Sequence, residues 1–464
     1  MTEELIISVS GMRGIVGENL TATVAAEYGC AFGSFLQRRA EVTGRRPTVC
    51  VGRDSRVSGP MVASAVMAGL CGAGVEAIDL GLVTTPGVGI MLRRLNCDGG
   101  VIITASHNPL PYNGIKLLLD NGMAPRPEVA AQIRQCYLDK RFAWVSSPQC
   151  GKVTVNSETD RIHVERVLSV VQAQQIARRK YKTVLDSVNG AGAPVAKKLL
   201  AELGCEVTAI NDEPTGLFAH EPEPTAANLK GLCEQVRNVQ ADVGFAQDPD
   251  ADRLAIVDEN GVYIGEEYTL ALVAKYLYST ASGVAATNLS TSRMIDDVAQ
   301  AAGGSVIRTP VGEANVAQAM MENDCLIGGE GNGGVIDLRV GPIRDSQVAM
   351  ALVLQLMAET GKSVSQLVQE IGGYYMHKEK FAADGAEAGR VIALAKEKFA
   401  GAKIDTSDGC RFDFDDGWLH LRSSNTEPVM RTIVEAETEA VARRYLEAVA
   451  GLRRLAGERA GGEQ

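Results

Sequence analysis

The sequence predicts an α/β protein of three similar layered units, closed by a smaller α+β domain. Three observations carry this. With 464 residues the chain exceeds what one hydrophobic core serves, so two to four domains are expected. Short apolar strands alternate with amphipathic helices, and the rhythm restarts twice, in units of about 100–150 residues. Near residue 372 the alternation stops, and a helix, two strands around a loop and a last helix follow.

Taken in order, residues 5–10 read as a strand, followed by glycines at 11, 14 and 17 and a helix over 22–40. Val49–Val51 is a strand broken by Gly52-Arg53-Asp54, and helices over 60–71 and 87–95 flank strands at 75–80 and Gly100–Thr104. The second cycle runs from a strand at Lys182–Asp186 through helices at 191–203 and 225–239 to a strand at 243–246. A third places helices at 267–279, 293–302, 313–322 and 345–359 around strands at 285–289, 305–308 and 327–328. The last domain has helices at 386–399 and 436–452 and strands at 418–421 and 429–434. Boundaries at 1–155, 156–258, 259–370 and 371–456 follow, with 457–464 a polar, glycine-rich tail expected to fray.

Hydrophobic residues at 45%, charged residues at 22% and 49 glycines describe a folded enzyme with many backbone-lined loops. The net charge of -11 and the lack of a basic face argue against nucleic acid as a partner, while local arginines and a metal can still draw an anionic substrate into a cleft. The 10 cysteines show no zinc or disulfide spacing and read as free thiols of a cytoplasmic protein. The amino terminus has no basic leader, and no window reaches 18 uninterrupted apolar residues, so neither secretion nor membrane spanning is expected.

Four loops carry polar chemistry. Ser106-His107-Asn108-Pro109 follows the Val101–Thr104 strand, with Lys116 nearby; small neighbours leave the hydroxyl accessible as a nucleophile, although an ordinary Ser/Asn/Pro turn fits the same residues. Asp248, Asp250 and Asp252 recur at every second position, which in extended chain aims them the same way. Such carboxylates repel unless a cation sits between them, and oxygen ligands favour magnesium or calcium. An EF-hand is excluded, because the glycine and glutamate of that loop are missing. Gly329-Glu330-Gly331-Asn332-Gly333 lets backbone approach a ligand while Glu330 accepts sugar hydroxyls; a tight turn explains it equally well, and it is neither a Walker A loop nor a dinucleotide fingerprint. Arg422-Ser423-Ser424-Asn425-Thr426-Glu427-Pro428, with Arg431 behind it, is a sound site for a phosphate monoester, although a polar turn with surface arginines fits the same residues.

Together, in this order, the four loops resemble the α-D-phosphohexomutase superfamily of phosphoglucomutases, phosphomannomutases and phosphoglucosamine mutases. The resemblance implies four domains around a central cleft, each giving one loop. It implies a phosphorylated Ser106, one Mg2+ held by Ser106, Asp248, Asp250 and Asp252, and a sugar 1,6-bisphosphate as intermediate and activator. It assigns Lys116 as acid/base, and His107, Arg13 and Arg253 as stabilisers of the transferring charge. Glu330 and Asn332 would bind the sugar; Arg422, Ser424, Asn425, Thr426 and Arg431 would hold the non-reacting phosphate.

Departures from the common bacterial pattern point to an archaeal-type branch. Asn332 stands where many members have serine, Gly334 where many have histidine, and Asn425 where many have glycine; separately, Pro310 stands where lysine is frequent, and the loss of that cation bears on substrate preference. The substrates implied are hexose phosphates, with glucosamine phosphate favoured by Asn332 and mannose or glucose phosphate as the alternative. A metal-dependent phosphatase and a non-catalytic sugar-phosphate sensor are the rival readings, and a monomer or homodimer is expected. His163, His220 and His377 read as surface or structural residues, His420 stays open beside the phosphate loop, and Trp418 reads as core.

Overall fold

The computed structural model describes residues 5–9, 11–40, 44–423 and 429–461. Four sheets follow one another along the chain. The first has seven strands, in spatial order Ile6–Ser8, Gly11–Ile15, Tyr112–Leu119, Gly99–Ile103, Thr48–Arg53, Glu76–Leu82 and Val153–Val155. Helices Ala22–Ala40 and Gly59–Gly72 pack against each other at very close range, because a Cβ on Gly69 would lie 2.0 Å from the Ala26 carbonyl oxygen.

The second sheet is ordered Leu254–Val257, Val243–Gln247, Lys182–Asp186, Glu206–Ile210, and the third Ser305–Thr309, Val284–Asn288, Ile327–Glu330, Gly334–Ile336. A common construction emerges. In each of the three, a strand of the parallel set turns back into an antiparallel neighbour, and that turn is one of the polar loops. Ile103 pairs with Ile115 across the serine loop, Gln247 with Leu254 across the aspartate loop, and Glu330 with Gly334 across the glycine loop. All three turns sit at the carboxyl ends of parallel strands, where open α/β sheets bind ligands.

Val164, Phe245, Leu270 and the helix Ser346–Thr360 belong to one continuous apolar cluster. The second and third sheets therefore share a core through that helix, which is buried on every side from Ser346 to Ala358. The fourth sheet is antiparallel, ordered Tyr375–Ala382, Val429–Ala436, Gly417–Ser423, Cys410–Phe414, Lys403–Asp405, and has a separate core against Gly385–Lys398 and Glu439–Gly461. Trp418 is fully buried.

Several elements differ from the sequence expectation. The strand expected over 5–10 is a hairpin, Ile6–Ser8 paired with Gly11–Ile15. Gly11 is required there: its φ is +111°, and a Cβ would lie 2.1 Å from the Ile115 carbonyl oxygen. The helix expected from 225 begins at Lys230. Strands Tyr112–Leu119, Leu254–Val257 and Tyr375–Ala382 were not legible: the first and last pair with strands far away in the sequence, and Leu254–Val257 is a four-residue return strand too short to show a period. Among the described residues, no helix is long and apolar enough to cross a membrane.

Candidate active site

Ser106 is buried and adopts a left-handed backbone, φ +51°. Such a conformation in a non-glycine residue persists only where surrounding structure imposes it. The imposing group is Arg56, which sequence reading missed. Its guanidinium, 1% exposed, donates to the carbonyls of Ser106 (2.6 Å), Asn108 (2.7 Å), Pro109 (3.0 Å) and Tyr112 (3.0 Å), while Nε donates to Asp54 Oδ2 at 3.1 Å. Thr104 Oγ1 donates to the same Asp54 oxygen at 2.6 Å and accepts the Ser106 amide at 2.9 Å. Burial pushes the Asp54 carboxyl up, and Arg56 opposes that shift. The only signal in the sequence is a pair of ionisable residues just past the apolar Thr48–Arg53 strand, a position where charge is usually solvated.

Ser106 Oγ donates to Asp248 Oδ2 at 3.1 Å and lies 3.4 Å from His107 Nδ1. Burial, with Arg253 and Arg13 nearby, pushes the His107 imidazole down to about 2, so the ring is neutral at ordinary pH. Its Nε2 is 3.8 Å from Glu223, whose carboxylate also lies 3.7 Å from Arg253. Arg13 donates to Asn108 Oδ1 at 2.7 Å.

Asp248, Asp250 and Asp252 are fully buried, with ligand oxygens all within 4.8 Å of one another. Asp248 Oδ1 accepts the amides of Asp252 and Arg253, each at 3.1 Å. Asp250 Oδ2 accepts Lys116 Nζ at 2.8 Å and Thr85 Oγ1 at 2.6 Å, and Asp252 Oδ2 accepts Arg344 at 2.5 Å. The other oxygens, Asp250 Oδ1 and Asp252 Oδ1, are buried without a hydrogen-bond partner, Asp252 Oδ1 lying 3.9 Å from Arg253 Nε. Burial and its two neighbours hold the Asp248 carboxyl well above the usual range. Burial alone would raise Asp250 too, but Lys116 and Thr85 hold it below that range. Burial opposes the Lys116 charge, yet Asp250 and Asp252 outweigh it, so Lys116 is an ammonium. Unpaired carboxylate oxygens converging in a buried site fit a hard divalent cation such as magnesium.

Glu330 and Asn332 lie in the third turn. Glu330 Oε1 accepts Asn288 Nδ2 at 2.8 Å and the Gly312 amide at 3.2 Å; Oε2 accepts Arg344 at 2.6 Å and Asn332 Nδ2 at 3.5 Å. Arg344 was not legible in the sequence, because it follows a loop with no periodic signal. The second and third turns also touch directly, through the Leu254 amide and Gly333 carbonyl at 2.9 Å.

From the fourth domain, Arg422 pairs with Asp408 at 3.2 Å, and Asp408 Oδ2 accepts the Val311 amide at 3.0 Å. Arg431 is exposed and stands opposite Arg422 on one side and Lys380 on the other. Ser424, Asn425 and Thr426 lie outside the described residues.

His420 is structural. Its Nε2 donates to the Asp408 carbonyl at 2.7 Å, leaving Nδ1, 2.9 Å from Ser290 Oγ, as acceptor. Burial pushes its imidazole down to about 4, although the Asp408 carbonyl favours the charged form. The unfolded chain then binds a proton near pH 6.5 and the folded chain only near 4. Stability is expected to fall as pH drops through that window, by up to about 3 kcal/mol from this residue. Thermal melts between pH 7 and 4 check this: His420→Gln should show a shallower decline than the parent, and an equal slope would remove His420 as the cause. His163 is likewise buried, with Nε2 2.7 Å from Asp345; His220 lies 3.1 Å from Asp186, and His377 3.7 Å from Glu379.

Models of the phosphoglucomutase/phosphomannomutase family match along the chain: α/β/α domain I over residues 5–144, domain II over 161–261, domain III over 266–375 and the C-terminal domain over 378–452. The chain belongs to this family. A Thermococcus kodakarensis protein named "Phosphoglucomutase/phosphomannomutase" is 42% identical over 94% of this chain and 96% of its own length. A Methanopyrus kandleri protein named "Probable phosphoglucosamine mutase" is 39% identical over 94% of each chain. Among solved structures, a phosphoglucomutase/phosphomannomutase family protein from Burkholderia thailandensis superimposes with a TM-score of 0.86 at 28% identity, covering 97% of both chains. These relatives support the archaeal-type branch and the four-domain phosphohexomutase architecture.

Proposed function

We propose that the chain moves phosphate between the 1- and 6-positions of a hexose through phosphorylated Ser106 and a bound sugar 1,6-bisphosphate. By family the chain is a hexose-phosphate mutase, an isomerase; what is proposed is its substrate, the assignment of residues and its domain boundaries. The observation that carries the assignment is Ser106 Oγ, 3.1 Å from a buried aspartate triad with two unpartnered oxygens.

In the forward half-reaction a substrate hydroxyl oxygen bonds to the phosphorus as the bond from phosphorus to Ser106 Oγ breaks; Lys116 gives a proton to the departing Ser106 Oγ and recovers one from the substrate hydroxyl. After the bisphosphate turns over, Ser106 Oγ takes the other phosphate. Asp248, Asp250 and Asp252 would hold Mg2+ beside the phosphoserine, where the ion offsets charge building on the serine oxygen. Arg13, Arg253 and neutral His107 face the same region and supply donors to the phosphoryl oxygens. Lys116, an ammonium beside Asp250, is placed to give and recover a proton. Glu330 and Asn332 bind ring hydroxyls. Arg422 and Arg431, with Ser424, Asn425 and Thr426, clamp the idle phosphate, which must be accepted in two sugar orientations.

Glucosamine 6-phosphate is the favoured substrate, supported by Asn332 and by the name of the Methanopyrus relative; mannose or glucose phosphate is the alternative, supported by that of the Thermococcus relative. The test is kcat/KM for the three 6-phosphates with a sugar 1,6-bisphosphate present. A lead of about tenfold or more for glucosamine, equivalent to roughly 1.4 kcal/mol, is expected. A smaller spread refutes specificity, and phosphate release without isomerisation would make the protein a phosphatase. Chelation by EDTA should abolish turnover and added Mg2+ restore it.

A further inference from the structure

Arg344 stands outside the four family loops, yet among the described residues it is the one side chain hydrogen-bonded to both the aspartate triad and Glu330. One amino group donates to Asp252 Oδ2 at 2.5 Å, the other to Glu330 Oε2 at 2.6 Å. Its backbone amide donates to Glu313 Oε1 at 2.6 Å, tying it to the segment before the third turn. The neighbouring Ser346 reinforces the link, with Oγ donating to the Ala251 carbonyl at 2.7 Å. Asp345 between them caps the buried helix Ser346–Thr360 and faces His163. Arg344 is therefore held rigidly, and only its two terminal amino groups face functional carboxylates.

We propose that Arg344 is a positioning residue that couples occupancy of the sugar turn to cation affinity at the aspartate triad. The inference rests on the assignment of triad and sugar turn proposed above. A planar guanidinium can bind two carboxylates at once in fixed geometry, which an ammonium cannot reproduce. Ring hydroxyls that bind Glu330 add to the four hydrogen bonds it already accepts and brace that carboxylate, and Arg344 with it, more firmly in place. Asp252 Oδ2 is then braced too, and with it the carboxylate whose Oδ1 has no hydrogen-bond partner. Sugar binding thus pre-orders a cation ligand, and by linkage the cation tightens sugar binding by the same factor. The backbone contact between Leu254 and Gly333 persists in any side-chain variant, so coupling should shrink without vanishing.

The experiment uses the dephosphorylated full chain, which has no phosphate to transfer. Mg2+ affinity is measured by calorimetry with and without saturating glucosamine 6-phosphate, or glucose 6-phosphate if that binds more tightly. The parent should bind Mg2+ about fivefold or more tightly with sugar phosphate present. Arg344→Lys keeps the charge, hence the long-range attraction between cation and phosphate, but loses the two-carboxylate bridge. Its coupling factor should be at least about threefold smaller than the parent's. Glu330→Gln, which cuts the bridge from the sugar side, should show the same loss and guards against a folding defect in the first variant. A smaller loss in both variants overturns the role of Arg344, as does a parent that binds Mg2+ with no response to sugar phosphate. A parent that binds no Mg2+ overturns the triad assignment itself and the inference with it.

Discussion

Ser106→Ala is expected to lose isomerisation by about 10⁴-fold or more while still binding sugar phosphate. The hydroxyl is the only atom the exchange mechanism can phosphorylate, so its removal deletes the covalent step. Binding should survive, because Glu330, Asn332 and the fourth-domain arginines act on other parts of the ligand. The backbone should change little: Arg56 holds the loop through carbonyl oxygens and Thr104 through the amide of residue 106, none of which the substitution touches. Progress curves with a bisphosphate activator, and calorimetric titration with the 6-phosphate, check the two halves. Turnover near the parent's would remove Ser106 from the mechanism; lost binding would show that the hydroxyl also builds the cleft.

Arg56→Met should be the most damaging substitution outside the reacting groups. It strands a fully buried Asp54 carboxylate and takes the guanidinium donor from the carbonyls of Ser106, Asn108, Pro109 and Tyr112. Breaking a buried pair on one side costs about 3–5 kcal/mol, chiefly from the uncompensated charge. Denaturant unfolding of the full chain should show the first domain melting early, and kcat should collapse as Ser106 leaves its left-handed conformation. The double variant Asp54→Asn/Arg56→Met separates the effects. Removing the stranded charge should recover part of the stability, whereas activity should stay low because the loop still lacks the guanidinium that gathers its carbonyls. Full recovery of activity would show that Arg56 serves only to neutralise Asp54.

The legible part of the site was its local part. Asp248, Asp250 and Asp252 sit at alternate positions of one short stretch, and Ser106 lies two residues past the Thr104 end of an apolar run, so composition and spacing alone single them out. The gross alternation of strands and helices, and its change near residue 372, were equally legible, because hydrophobic periodicity is a property of neighbours in sequence. Arg56, Asp54 and Arg344 left no such trace. Each is a charged residue outside any motif, and its importance comes from partners 50 to 92 positions away. Glu330 was found, but not its saturation by Asn288, Gly312 and Arg344, which shapes how it can meet a sugar.

The sequence by itself determined which family the chain resembles and which residues that resemblance nominates for the site, since those depend on residue type at short spacing. Tertiary structure alone decided that Ser106 meets Asp248 across 142 residues, that the three turns are the same construction used three times, and that a buried arginine on each side braces them. The physical reason is one of range. A strand's face or a loop's charge is fixed by adjacent side chains, whereas the value of a buried charge is set by whichever distant groups pair with it once water has gone.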